Sequence, residues 1–469
     1  MISKQDIMIF SREFGLRPDI VEKDYVLGWT LAGIFNHPAL RMEWVFKGGT
    51  CLKKCFFETY RFSEDLDFTI IDPEHLDEAF LSDVFKEIAA WIYEQCGIEI
   101  PDDTIRFEVY ENPRGHHSVQ GRIGYRGPLQ PKGALPRIKL DLTHDEILSL
   151  DPVIREVHHP YPDRPDDGIY IQCYAYEELF AEKVRALAER SRPRDLYDVI
   201  HLYRNEMKPD RDVTLKTLEQ KCSFKGVAIP TMSLVESRPE RVELETEWEN
   251  MLAHQLPSLP PFEQFWRELP EVFEWLHGKT LKAVMHSLPR GAREDSSWHP
   301  PTMAQPWSTK VPLEIIRFAA ANRLCVNLAY KGSKRLIEPY SLRRTQEGNL
   351  LLHTLRHDSG EHRAYRVDQI EDAVVTQISF TPKYAIELTP SGPISAPTSR
   401  RISTPSIRPK STRVFSGHRR SIVGTRYVIE CPYCGKRFNH TSNNTTLNRH
   451  KDKQGYPCPG RRGYLFEIR

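Results

Sequence analysis

The sequence predicts a multidomain α+β protein: a mixed strand-and-helix unit, a mostly helical stretch, a β-rich unit and a small metal-held tail. Three observations predict it. At 469 residues the chain exceeds the usual size of one hydrophobic core, so two to four domains are expected. Its apolar residues change period along the chain, from alternation to three- and four-residue spacing and back. Its cysteines are also divided: six lie among apolar neighbours, and Cys431, Cys434 and Cys458 crowd into the tail.

Hydrophobic residues at 39% and charged residues at 28% suit a folded chain rather than a disordered one. No stretch has the apolar length of a membrane span, and Met1-Ile2-Ser3-Lys4 lacks a basic-then-apolar leader pattern. A cytoplasmic protein with no membrane partner is expected. Cys51, Cys55, Cys96, Cys173, Cys222 and Cys325 then read as scattered, reduced, buried thiols. The net charge of +1 conceals an asymmetry. Residues 391–469 hold 16 Lys/Arg against 3 Asp/Glu, a surplus of 13, which leaves the remainder at −12. A tail this basic favours a polyanion such as nucleic acid, or docking on the acidic body.

In order along the chain, Ser3 and Pro18-Asp19 open two helices. Trp44-Val45-Phe46-Lys47 is a short strand, Gly48-Gly49-Thr50 a turn, and residues 51–57 have helical spacing. Residues 65–71 alternate as a half-buried strand, 76–96 form an amphipathic helix, and 105–110, 121–125 and 137–142 are further strands. Residues 176–203 are helical with a break at Ser191-Arg192-Pro193, and 210–290 are mostly helical. The expected boundaries are 1–290 (a core to about 150, then a helical part), a linker 291–309, a β-rich domain 310–390 opened by a helix over 313–322, a basic linker 391–426 and a tail 427–469.

On a strand, residues two apart share a side, so Asp65 and Asp67 project together while Leu66 and Phe68 face the core. Asp141, between Leu140 and Leu142, supplies a third carboxylate from a neighbouring strand; Asp145 and Glu146 are its alternatives. Such a set suits two magnesium or manganese ions held against a nucleoside triphosphate. Gly48 and Gly49 leave backbone amides free to approach phosphates, with the Thr50 hydroxyl beside them. An isolated Asp-x-Asp or Gly-Gly-Thr is common; the order strand, Gly-Gly-Thr, helix, then Arg61-Phe62-Ser63-Glu64-Asp65-Leu66-Asp67 is far more specific.

That order resembles the first motif of the AbiEii/AbiGii nucleotidyltransferase toxins, in the polymerase-β-like superfamily. The resemblance continues through Glu22-Lys23-Asp24-Tyr25, Glu177-Glu178 to Arg185, and Arg194-Asp195 to Asp198, across residues 1–290. It implies a polymerase-β-like core with a helical C-terminal half. It further implies a nucleoside-triphosphate-dependent toxin of a type IV toxin–antitoxin or phage-defence pair, with a cognate antitoxin and RNA, tRNA 3′ ends foremost, as acceptor. By position it implies triphosphate contact for Lys183, a place beside the active site for Asp195, and nucleotide contacts for Gly48, Gly49, Thr50, Lys53, Arg61 and Ser63. Glu178, Glu182 and Arg185 also have the spacing of a plain helical ion-pair face, and Asp195 that of a helix N-terminus. A protein acceptor, or a non-catalytic regulator that senses nucleic acid, are the competing readings.

Residues 310–390 resemble the WYL domain, an SH3-like β-fold that binds nucleotide or nucleic-acid ligands, through Glu338-Pro339-Tyr340-Ser341-Leu342-Arg343 and Tyr365-Arg366-Val367-Asp368. Leu350-Leu351-Leu352 stands where the namesake Trp-Tyr-Leu is expected. Arg343, Arg356, Arg363 and Arg366 are its candidate ligand contacts, since guanidinium forks suit phosphate. Singly, each also reads as a solvated strand residue. In the tail, Cys431, Cys434, His450 and Cys458 have the C-x2-C…H…C pattern of a structural zinc finger, with His440 as a competing ligand and Gly435 easing the turn. Lys436, Arg437, Arg449, Lys451 and Lys453 around it suit a nucleic-acid partner.

Overall fold

The computed structural model describes residues 1–57, 60–112, 114–130, 133–204, 209–280, 285–298 and 313–388, and in the tail 427–431, 434, 436–440, 445–448, 450–451, 457–458 and 464–468. The expected basic linker 391–426, residues 299–309, Gly435, Arg449 and Lys453 lie outside them. Two compact units divide the chain, 1–400 and 401–469. Among the described residues no helix is long and apolar enough to cross a membrane.

Helix α1 (Lys4–Phe14) starts at a capping box in which Ser3 and Asp6 satisfy each other's backbone amides. Helix α2 (Pro18–Asn36) has Pro18 in its first turn and is buried over most of its length. Strand β1 (Trp44–Lys47) runs directly into α3 (Gly48–Cys51), which widens into a π-helical turn over Leu52–Phe56. The expected Gly-Gly-Thr turn is therefore the first turn of a helix. Strand β2 (Asp65–Ile70), helix α4 (Glu78–Cys96) and strands β3 (Arg106–Glu111), β4 (His117–Gly124) and β5 (Arg137–Thr143) follow.

Two further strands, β6 (Val153–Glu156) and β7 (Tyr170–Cys173), were not expected. At four residues each they carry too little pattern to separate from loop. The seven strands form one mixed sheet in the order β3-β4-β5-β2-β1-β7-β6. β2 pairs with β5 and β1 with β7 in parallel; the other pairs are antiparallel. Leu66, Phe68, Leu140 and Leu142 are buried on one face, where Phe85 of α4 also packs against Phe107 with tilted rings.

Helices α5 (Tyr176–Arg190) and α6 (Pro193–Arg204) are separated at Ser191, which takes a left-handed conformation. Helices α7 (Arg211–Lys225), α8 (Met232–Ser237), α9 (Arg241–Thr246), α10 (Trp248–Leu252) and α11 (Phe262–Leu276) complete the helical half. Helix α12 (Leu313–Ala321) then packs on a five-stranded antiparallel sheet made of β8 (Leu324–Tyr330), β9 (Ser333–Arg344), β10 (Leu350–Arg356), β11 (His362–Arg366) and β12 (Ile370–Ser379). Residues 291–298 do not behave as the linker expected there. Leu288 is buried with Tyr340 and Phe380, and Asp295 and Arg293 exchange backbone hydrogen bonds with Arg344 and Gln346. Backbone pairing along β9 anchors them.

The tail unit contains β13 (Tyr427–Glu430), β14 (Arg437–His440) and β17 (Tyr464–Ile468) in one small sheet, and β15 (His450–Lys451) paired with β16 (Pro457–Cys458).

Helices α1 and α12 meet through two acids. Burial, then the neighbouring Glu314, push the Glu13 carboxyl up to about 7. A raised carboxyl binds its proton more tightly folded than unfolded, so its contribution to stability declines as pH rises from 4.5 to 7. Thermal melts should show Glu13→Gln gaining about 1 kcal/mol at pH 8, after discounting for partial solvent exposure, and nothing at pH 4.

Candidate active site

Strand β2 alternates as its sequence demands: Asp65 and Asp67 are partly exposed, Leu66 and Phe68 fully buried. Asp67 stands directly opposite Asp141 of β5 on one side and Lys47 of β1 on the other. Directly opposed residues share a face, so the structure brings Asp65, Asp67 and Asp141 together. Burial pushes the Asp67 carboxyl up to about 6; Lys47 and Lys183 oppose the rise, Asp141 and Asp65 add to it. Asp65 is raised by burial too, against Lys139, with Asp141 again adding. Carboxylates that repel one another despite nearby cations are a fit for divalent metal. The alternatives Asp145 and Glu146 are committed elsewhere: Asp145 to Arg114, Asn112 and Lys225, Glu146 to Arg185 and Lys225.

The glycines are required where β1 enters α3. Gly48 has φ +80°, and a Cβ there would lie 2.0 Å from Asp67 Oδ2. A Cβ on Gly49 would meet Arg61 Nη2 at 2.6 Å and Ser63 Oγ at 3.0 Å. Bare backbone therefore borders the carboxylates, and first-turn amides have no partner within their own helix. Thr50 departs from expectation. It is fully buried and its hydroxyl donates to the Asp65 carbonyl at 2.5 Å, tying the glycine turn to β2 instead of meeting phosphate. Lys53 departs as well: the π-helical turn carries it to a cavity lined by Phe14, Leu16, Glu314 and Phe318. Ser63 stays beside Gly49.

Behind this turn lies a buried ion cluster that sequence spacing did not reveal. Asp198 of α6 takes two hydrogen bonds from Arg61, at 2.6 and 2.8 Å, and one from Tyr60; Lys183 of α5 reaches it at 2.7 Å. Burial alone would raise the Asp198 carboxyl, but Arg61 and Lys183 hold it well below the usual range. Asp195 is wholly buried, saturated by two bonds from Arg190 and 3.6 Å from Lys183. Arg61 is thus framework and not the nucleotide contact expected of it, and Asp195, expected beside the active site or at a helix N-terminus, is held in the same framework. Lys183 belongs to both settings, since its charge also reaches Asp67. Sequence reasoning also missed Lys139, two residues before Asp141 and on its face, and the Lys23–Glu64 pair at 2.6 Å beside Asp65. Period-two alternation could have found Lys139.

Of the four arginines expected to bind ligand on the second sheet, Arg343 does not. It is buried and spent on the Leu288 and Pro289 carbonyls, Glu294 and Glu387. Arg356, Arg363 and Arg366 are open to solvent, each beside an acid: Asp358, Glu361 and Asp368.

In the tail, Cys431, Cys434, His450 and Cys458 place their ligand atoms within 4.8 Å of one another. Cys431 and Cys458 Sγ are 3.5 Å apart, and Cys434 Sγ is 3.3 Å from His450 Nε2. Tetrahedral zinc with bonds of about 2.3 and 2.0 Å needs roughly 3.8 and 3.6 Å, so the donors fit such an ion. His450 Nδ1 faces the Asn448 carbonyl at 2.9 Å, which leaves Nε2 as the donor. The side chain of His440 lies outside the described residues. Cys51, Cys55 and Cys173, scattered in sequence, also converge, fully buried in the main core.

Asp198→Ala would strand Arg61 and Lys183 as buried charges. Urea unfolding should show a loss of about 3–5 kcal/mol, far more than surface carboxylate substitutions cost.

Comparison with known proteins gives this geometry a family. The family model described as nucleotidyl transferase AbiEii toxin, type IV TA system, matches residues 29–275, from α2 into α11. No curated protein matches. Among solved structures, the chain is similar to MenT4, a nucleotidyltransferase toxin from Mycobacterium tuberculosis H37Rv, at 19% identity over 59% of this chain and 90% of that one, with a TM-score of 0.38. With the family model spanning more than half its length, and the carboxylates and glycine turn inside the match, the chain belongs to the AbiEii nucleotidyltransferase toxin family and is an enzyme of that class.

Proposed function

We propose that this enzyme transfers a nucleoside monophosphate from a nucleoside triphosphate to the 3′ end of RNA, tRNA foremost, as the toxin of a toxin–antitoxin or phage-defence pair. The observation that carries it is the register of β2 against β5, which sets Asp67 opposite Asp141 with Asp65 one step along the same face. These three carboxylates would hold magnesium or manganese, which supplies charge neutralisation at the transferring phosphoryl group and at the attacking hydroxyl. Gly48 and Gly49 leave room for the triphosphate to approach backbone amides, and Lys183 adds a point charge. Arg61 acts through the turn: by clamping Asp198 it fixes the loop that carries Ser63 and Asp65.

The tail cluster is read as a structural zinc site, with binding worth ~10–16 kcal/mol to a module too small to hold itself by core burial. Basic residues around it suit RNA. The second sheet is read as a WYL-like sensor, with Arg356, Arg363 and Arg366 left as its ligand contacts.

Purified protein incubated with each labelled triphosphate, magnesium and bulk tRNA should label RNA. Asp65→Asn, Asp67→Asn and Asp141→Asn should each lower the rate by about a thousandfold or more, as loss of metal-borne charge stabilisation implies. Label on a protein acceptor instead would replace the substrate, and full activity of Asp141→Asn would remove that residue from the site. Elemental analysis should find one zinc per chain, absent in Cys434→Ser, with transfer chemistry at the carboxylates unaffected for a short RNA acceptor.

A further inference from the structure

The face of the main sheet that bears the carboxylates continues outward past them. Sheet register places Arg106 of β3 opposite Arg122 of β4, Arg122 opposite Lys139 of β5, and Lys139 opposite Asp65 of β2. Arg137, two residues before Lys139, lies on the same face at the start of β5. All four share the side of Asp65 and Asp141. The opposite side of these strands is the one closed by core, through Phe107, Ile123, Ile138 and Leu140. Arg106, Arg137 and Lys139 are exposed, and the Arg122 side chain is 42% exposed.

The spacing makes a track. Adjacent strands lie about 4.8 Å apart, so three steps from Asp65 to Arg106 span roughly 14 Å. Among the described residues of β3 to β5, this face sets four cations against two acids: Asp141 of the carboxylate set itself, and Glu108, whose contact with Arg122 is a loose 3.7 Å. On a body with net charge −12, an ordinary solvated face would mix signs. Tyr110 stands on the same face, 47% exposed, two positions beyond Glu108. Cations in register, with an aromatic ring roughly 13 Å from Arg106 along the same face, match a phosphodiester strand with its bases, which needs charge along its length and a surface for stacking. An acidic protein segment would use the charges and leave the tyrosine without a purpose.

We propose that the β3–β4–β5 face is the acceptor site for a single-stranded RNA end, with Arg106, Arg122, Arg137 and Lys139 contacting its phosphates and Tyr110 stacking a base, so that the terminal 3′-hydroxyl arrives at Asp65, Asp67 and Asp141. This rests on the function proposed above and names where its acceptor lies. The row runs into the carboxylates from the side away from Gly48 and β1, which leaves the glycine turn to the triphosphate. Incoming nucleotide and acceptor then approach from opposite sides.

The test uses the full chain, a 12-nucleotide single-stranded RNA with a free 3′-hydroxyl, and the triple variant Arg106→Gln/Arg122→Gln/Arg137→Gln. Equal melting temperatures establish that these surface changes leave the fold intact. The expected result is a KM for RNA raised about 10- to 100-fold with the KM for triphosphate unchanged. The salt slope of RNA binding should fall by about 2, from three lost phosphate contacts at ~0.7 each. Tyr110→Ala should weaken binding without altering the slope, by a factor of about 5 or more. Unchanged RNA binding and slope in the triple variant overturn the assignment. If the variant still labels RNA at the wild-type KM, the acceptor face is wrong while the transferase reading stands. If wild type labels an acidic protein and no RNA, both fall.

Discussion

Three carboxylates held side by side on a sheet are the constraint from which the rest of this site follows. Asp65, Asp67 and Asp141 repel one another, and partial burial removes the water that would screen them. The fold answers with cations placed on every side: Lys47 opposite Asp67, Lys139 opposite Asp65, Lys183 from α5. Lys47 and Lys183 cannot simply neutralise the set, because each has other obligations. Lys47 lies between Glu146 and Glu182, at 4.0 and 3.8 Å, and Lys183 is bound to Asp198. What remains is a cluster of negative charge beside a rigid frame, a fit for divalent metal and phosphoryl transfer.

That rigidity comes from charge pairs taken out of water. Arg61 and Asp198 are separated by well over a hundred residues yet make a two-pronged contact in full burial. Lys221 and Glu178 make a single fully buried contact at 2.9 Å between α7 and α5, and Glu178 also caps the amides of Ser149 and Leu150. Buried pairs contribute little net stability against apolar residues of the same shape, but their geometry is exacting. Here they set where a loop lies: Arg61 under Gly49, Thr50 on the Asp65 carbonyl.

This explains which parts of the molecule were legible in the sequence. Alternation put Asp65, Asp67 and Asp141 on one face, as the register has them, because period two is a local property of a strand and the register follows from apolar residues facing one core. The convergence of Cys431, Cys434, His450 and Cys458 was legible because a metal-type pattern sets donors at close spacing. Arg61, Thr50, Asp195 and Arg343 were misread for one shared reason. Each is a polar residue in a functional-looking pattern whose partner the pattern does not include: Asp198, the Asp65 backbone, Arg190 held across a helix break, and the carbonyls of Leu288 and Pro289. A pattern shows that a charge is present; only the packed structure shows whether it is already occupied. The short strands β6 and β7 escaped for the opposite reason, having too few residues to display any period.

Helix α6 also gives the second sheet a physical connection to this framework. Tyr197 donates to Asn322 at the end of α12, at 2.8 Å, while the next residue, Asp198, holds Arg61 and Lys183. Arg323 reaches Glu268 of α11, which Arg204 of α6 also grips. A displacement of α12 would therefore load the same helix that positions the buried cations. The charges that face solvent are spent differently. Buried cations such as Arg61, Lys183 and Lys221 have carboxylate partners within 3 Å, whereas the row Arg106–Arg122–Lys139 is aligned by strand register and set against few acids. A near-zero net charge thus describes neither population: one set of cations builds the site, and the other is left facing outward beside it.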